Sequence, residues 1–243
     1  MAKPTISSKS QPHLHLATNE PAKHREEDCD TCESRQNNPL CSTHNRLKDI
    51  SQMRSSSQYR SGQSIFYQGN EPLGLFTVEK GLVKIESTSE NGQSHTHRLM
   101  GPGSVLGYRA LFSKEPYRAS AIAVEDSKLC FLPKSFVFDL FKEEPQIALN
   151  LAERLAKDLR EAEQKWVKQV DNEAPDRVAE ALVFLSDRFS NQDWTRKEIA
   201  QWAGTTPETV MRTLSRFEKE GLIELDKRRI KIRDRAGLLN KFS

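Results

Sequence analysis

The 243-residue chain lacks any apolar run long enough to cross a bilayer, and its first residues lack the basic-then-apolar order of an export signal. Together with a mean hydropathy of −0.70, this predicts a cytoplasmic protein with no membrane partner. Neither sign of charge is in excess. The net charge is +3, and acids and bases nearly balance in each part of the chain. Any nucleic-acid contact must therefore come from placed residues, since no region is a basic slab. A Gly-rich phosphate loop, an HExxH pair and a nucleophile–base set are all missing, which speaks against an enzyme. Cysteine is scarce, at four residues. Without an export signal, four thiols point to metal or redox use and away from a disulfide framework.

Residues 1–28 are polar, contain proline and show no periodicity, so they read as a disordered tail whose His13, His15 and His24 are solvated. Residues 29–58 carry CDTCESRQNNPLC, with Cys29, Cys32 and Cys41. The polar interior with Asn37, Asn38 and Pro39 implies a loop. A loop that cannot pack itself needs another reason to hold one shape, and shared coordination of a metal would supply it. From Tyr59 the texture becomes short strands broken by turns. SIFYQG, LFTVEK, GLVKIES, HTHRLM, SVLGY, RASAIAV and KLCFLP read as strands, with Asn91-Gly92 the strongest hairpin signal. The spacing predicts a small antiparallel barrel or jelly roll over 59–142.

After Lys134 the period is helical, with Phe136, Leu140 and Phe141 on a short segment. A longer helix spans 143–170. Its Ile147, Leu151, Leu155, Leu159, Ala162 and Trp166 form a narrow stripe suited to pairing with a second copy in a homodimer. Residues 171–175 break the pattern as a linker, and Asp176 is a candidate cap for a helix through Phe189.

Residues 195–225 read as two short helices around a tight turn. Ile199, Trp202 and Ala203 share one face, Gly204 permits the turn, Thr206 can cap and Pro207 suits the first helical position. Val210, Leu214 and Phe217 fall inward at helical spacing, opposite Glu208, Met211, Arg212 and Ser215. This is the pattern of a DNA-binding helix-turn-helix. Strands at 222–225 and 229–232 make a wing, so 171–243 is a winged helix-turn-helix domain. Lys227, Arg228, Arg229, Lys231, Arg233, Arg235 and Lys241 face only Asp234 in the local sequence, a stretch suited to phosphates.

This order of β-roll, long helix and winged helix-turn-helix, with TTPETVMRTLSRFEKEGLI and AVEDSKLCFLP, resembles the CRP/FNR family of transcription regulators, and most of all its anaerobic branch. The resemblance implies an α+β fold with a cyclic-nucleotide-binding-like antiparallel β-roll, a dimerisation helix and a C-terminal DNA-binding domain. It also implies a homodimer on an inverted-repeat operator in double-stranded DNA, with RNA polymerase as a partner. Glu208 and Arg212 match the family's base-reading pair. Arg212 can donate to guanine O6 and N7, and Glu208 can accept from a cytosine amino group. Thr206, Thr209, Ser215 and Arg216 are candidate phosphate contacts. Pro207 and Met211 depart from both familiar branches, so a TTGAT-like or TGA-containing half-site is expected with its outer bases undefined.

The same resemblance offers two signals. In the anaerobic branch, three N-terminal cysteines and one at the end of the roll hold an iron–sulfur cluster. Cys29, Cys32, Cys41 and Cys130 fill those places with no cysteine left over, which implies a [4Fe–4S] cluster and oxygen or redox sensing. Four thiolates would also suit zinc. In the nucleotide-binding branch a glutamate takes the ribose and an arginine the phosphate. Arg118 fits the arginine, but Tyr108 stands in place of the glutamate.

Overall fold

The computed structural model describes residues 29–41, 46–190, 192–227 and 229–240, so the expected tail at 1–28 lies outside the described residues. Two four-stranded antiparallel sheets form the N-terminal roll. One is ordered β1 (Ser55–Tyr59), β8 (Ser127–Pro133), β3 (Gly74–Lys80) and β6 (Val105–Leu106). The other is ordered β2 (Ser64–Phe66), β7 (Ser120–Ala123), β4 (Val83–Thr88) and β5 (Ser94–Met100). Their inner faces enclose Phe66, Val78, Val83, Met100, Leu106, Ala121 and Leu129, with Tyr117 stacked on Phe66. Turns at Gly81 and Gly92 need positive φ. At Gly81 a side chain would also strike Ser127, so glycine there is set by both conformation and space.

The roll starts earlier than the sequence pattern places it. Ser55–Tyr59 pairs in register with β8, Ser56 lying opposite Cys130, although SSSQY offers no apolar alternation. A short helix α1 (Leu47–Met53) precedes it, and the expected strand SVLGY breaks after Leu106 into α2 (Tyr108–Ser113).

Helices α3 (Lys134–Glu143) and α4 (Pro145–Asp171) follow the roll. Ile147 and Leu151 of α4 are fully buried in one apolar core with Leu40, Leu47, Ile50, Leu75, Leu111, Leu132, Val137 and Leu140. That corrects their assignment to a dimer seam, because their surface is spent on their own roll. Leu155 packs at the edge of the same core. Further along α4 the apolar residues turn outward. Leu159 is 61% and Trp166 68% exposed, with Val167 and Val170 beside them on the same helix.

The helix α5 (Ala174–Arg188) starts on a capping box in which Glu173 is the cap and Asp176 the third helical residue, so Asp176 supports the start from inside. The 171–175 linker is correspondingly short: α4 runs to Asp171, and Ala174 and Pro175 are already helical. Helices α6 (Arg196–Ala203) and α7 (Pro207–Lys219) and the hairpin β9 (Ile223–Asp226)–β10 (Arg229–Ile232) pack with α8 (Arg235–Asn240). Their core holds Val178, Leu182, Leu185, Ile199, Val210, Leu214, Phe217 and Leu238.

Four large exposed apolar residues on one half-helix are a surface that a second copy can cover. Leu159→Glu is expected to weaken self-association by about tenfold or more, ~1.4 kcal/mol, read by sedimentation, while the melting of the roll stays unchanged. An unchanged association constant would remove α4 from the interface.

Candidate functional site

The recognition face is built locally. Thr195 caps α6 in a capping box with Glu198, and Gly204 ends that helix at φ 62. Thr206 then caps α7 by accepting from Thr209 N at 3.3 Å. Burial of Val210, Thr213, Leu214 and Phe217 turns Met211, Arg212, Ser215, Arg216 and Lys219 to solvent. Glu208 and Arg212 share that outer side, Arg212 reaching Thr209 Oγ1 at 3.4 Å. Hydrogen bonds from its own backbone N–H and from Thr206, then the charge of Arg212, hold the Glu208 carboxyl below the usual carboxylate range. Two of the expected phosphate-contact groups already have work inside the protein: the Thr206 hydroxyl caps α7, and Arg216 pairs with Glu220 at 3.1 Å.

The basic stretch at the wing is less bare than its sequence. Arg229 pairs with Asp193 at 3.2 Å, Lys231 with Asp226 at 3.8 Å, Arg233 with Glu224 and Arg235 with Asp187. All four of those acids lie before the basic stretch in sequence, and folding brings them beside it. Arg228 and Lys241 lie outside the described residues.

The helix-turn-helix is also held from behind. Arg177 Nε donates to Ala203 O at 2.9 Å, and Gln169 Nε2 of α4 donates to the same oxygen at 3.3 Å. Lys165 of α4 donates to Thr96 O of β5 at 3.0 Å and lies 4.2 Å above the Trp202 ring of α6, which stacks on Phe184. Burial pushes the Lys165 ammonium down to about 8. One helix thus touches the roll and the turn of the DNA-binding motif together.

Of the four thiols, Cys29 and Cys41 lie with the first turns of α4 in or against one apolar core. None is in a disulfide. Cys29 is buried in the same core as Ile147 and Leu151. Asn38 shapes the loop: its carbonyl accepts from Leu40 N at 2.9 Å, and its amide donates to Cys41 Sγ at 3.1 Å. Cys32 Sγ lies 3.2 Å from Ser34 Oγ. Burial, and then the neighbouring Cys29 and Cys32, push the Cys41 thiol up to about 12. Cys130, on β8, donates to the Glu79 carboxylate and accepts from Arg54 Nη1 at 2.9 Å. Burial first, then Glu79, raises its thiol pKa, with Arg54 opposing.

The charge of Cys29 acts on Arg54 as well, and Arg54 acts on Cys41, so this guanidinium is where the N-terminal loop and Cys130 meet. Among the described residues, no three His, Cys, Asp or Glu side chains converge closely enough to hold a metal ion. The thiols share a neighbourhood without a formed coordination sphere. Arg54 and Glu79 are functional candidates that the sequence did not reveal, because their contact spans 25 positions.

The two residues matched to the nucleotide-binding positions, Tyr108 and Arg118, differ sharply in exposure. Tyr108 is buried, donates to Asp158 of α4 and accepts from Arg98 Nη1 at 3.3 Å. Arg98 and Arg154 both pair with Asp158. Burial raises the Asp158 carboxyl against the opposing pull of Arg98. Arg118 stays 82% exposed on the surface, paired with Glu115 at 3.4 Å.

Comparison with known proteins bears on both ends. Residues 56–144 match the family described as cyclic nucleotide-binding domain, and residues 176–241 the family described as Crp-like helix-turn-helix domain. The chain is 36% identical to the cyclic AMP receptor protein of Thermus thermophilus, over 76% of this chain and 86% of that protein. It is 27% identical to the transcriptional activator protein FnrA of Stutzerimonas stutzeri, over 74% and 77%. The structure of FixK2 from Bradyrhizobium japonicum superposes with a TM-score of 0.66 at 25% identity, covering 77% of this chain and 96% of that one. Relatives named for cyclic AMP and for FNR thus both occur, and neither branch is singled out. With its nucleotide-binding-like roll, its long helix and its exposed recognition helix, the chain belongs to the CRP/FNR family of DNA-binding transcription regulators.

Proposed function

We propose that this regulator senses oxygen or redox state through an iron–sulfur cluster ligated by Cys29, Cys32, Cys41 and Cys130. The observation that supports the reading is that Arg54 lies beside Cys130 of β8 and within electrostatic reach of Cys29 and Cys41 of the loop, while Cys32 lies within reach of Cys41. The donor set fits such a group in kind: four soft thiols and a buried cation to offset their charge. When bound, the cluster would supply an oxygen-labile link between loop and roll. Its ligation requires the raised thiols to lose their protons, so loading releases protons and is weaker at low pH.

The chain's own residues would carry the signal. Cys29 and Leu40 pack in one core with Ile147 and Leu151, so tightening the loop steadies the start of α4. The exposed Leu159–Trp166 side of α4 would then meet a second copy and present two recognition helices about one DNA turn apart. A nucleotide-responsive reading has its support in the relative named for cyclic AMP. Against it stands the buried Tyr108–Asp158–Arg98 contact, together with the surface position of Arg118.

Protein prepared without oxygen is expected to show broad visible iron–sulfur absorption, with iron and acid-labile sulfide in equal amounts and little zinc. Zinc without iron would replace the cluster by a structural metal. Neither metal, combined with a melting shift on adding cyclic AMP, would transfer the sensing role to the nucleotide.

At the output end, Arg212→Ala is expected to weaken binding to an operator selected from random DNA by roughly 1–3 kcal/mol, about fivefold to 150-fold, with unchanged melting. Equal loss on unrelated DNA would make Arg212 a phosphate contact.

A further inference from the structure

Among the described residues, the exposed side of α7 carries a single apolar side chain, Met211, which is 51% exposed. The other large apolar residues of the helix, Val210, Leu214 and Phe217, are buried on its inner side. Met211 follows Glu208 by three positions and precedes Ser215 by four, while Arg212 follows Glu208 by four and precedes Ser215 by three. At those spacings the four side chains form one continuous patch. A lone exposed apolar residue is ordinary on a protein surface. This one sits between two residues suited to base edges, on the N-terminal half of the helix that enters the major groove in this motif.

What the groove can offer Met211 follows from its chemistry. A thioether donates no hydrogen bond and accepts only weakly, so the guanine acceptors and the amino groups of adenine and cytosine give it little. The one methyl group on a base edge in the major groove is that of thymine. An unbranched, polarizable side chain can settle against such a group without demanding one exact angle.

We propose that Met211 reads a thymine methyl in a base pair next to the one held by Arg212, so that each half-site requires thymine there. This rests on the placement of α7 in the major groove and adds a residue that selects a base. Glu208 and Arg212 recognise by hydrogen bonds, whereas Met211 selects by removing two apolar groups from water.

The full chain, prepared with and without oxygen, is used to select an operator from random duplex DNA, and the tighter-binding preparation is carried forward. Each thymine of the half-site is then replaced by deoxyuridine, in both half-sites together, which deletes the methyl and keeps the base pairing. At one position the wild type is expected to lose about fourfold in affinity per half-site, about fifteenfold in all, the worth of two buried methyl groups. Met211→Ala is expected to bind the unmodified operator more weakly by a similar factor and to be indifferent to deoxyuridine at that position. Its melting should not change, because the side chain is exposed and alanine favours a helix. At the same position wild type should bind a 5-methylcytosine·guanine pair more tightly than a cytosine·guanine pair, and Met211→Ala should not distinguish them.

Wild-type affinity that is unchanged by deoxyuridine at every thymine would overturn the proposal. So would equal losses in wild type and Met211→Ala, since another residue would then read the methyl. A random pool from which no operator emerges, or an Arg212→Ala protein with undiminished selectivity, is a different failure. It sinks the placement of α7 in the groove and takes Met211 with it.

Discussion

The structure depends on one apolar contact, the core in which the cysteine loop, α1 and the first turns of α4 are buried together. Leu40, Leu47 and Ile50 come from the N-terminal side, Ile147 and Leu151 from α4, and Leu75 and Leu132 from the roll between them. Each fully buried leucine or isoleucine contributes about 1.5–3 kcal/mol relative to exposure, so this core outweighs any surface ion pair nearby. It also fixes what the thiols can influence. A loop stitched to α4 through Cys29 and Leu40 cannot change shape without disturbing the start of that helix.

From there α4 serves three surfaces in succession. Its first turns belong to the roll, its middle meets the roll again through Asp158 and Arg98, and its last turns reach the helix-turn-helix through Lys165 and Gln169. The opposite side carries the exposed apolar residues. A helix with so many obligations has few independent positions, and that is what lets a change at one end be felt at the other. The Asp158 contact adds a physical reason for caution about a nucleotide. The chain's own carboxylate occupies Tyr108, which stands in place of the ribose-binding glutamate, and Arg118 is on the surface paired with Glu115.

How far the sequence disclosed this depends on whether the cause was local. The turn at Gly204, the cap at Thr206 and the inward face of α7 were legible because each is a short-range rule acting within a few residues. The strand Ser55–Tyr59 was not, because its place comes from pairing with β8 and its own residues carry no alternation. The stripe on α4 was visible as one periodicity, but periodicity cannot tell burial in the same chain from burial against another, so Ile147 and Leu151 were misplaced. The wing's cations looked bare because the four acids that pair with them all lie outside the local stretch. Arg54 and Glu79 were invisible for the same reason: their contact with each other and with Cys130 spans distant parts of the chain.

The central claim is that the four-thiol site and the recognition helices are coupled through α4. The most direct measurement follows operator binding and sedimentation in the same anaerobic sample before and after a limited exposure to air. The account predicts that visible absorption, dimer fraction and operator affinity fall together, and that Cys130→Ala starts in the low-affinity state. Operator affinity and dimer fraction that stay constant while the absorption disappears would contradict it.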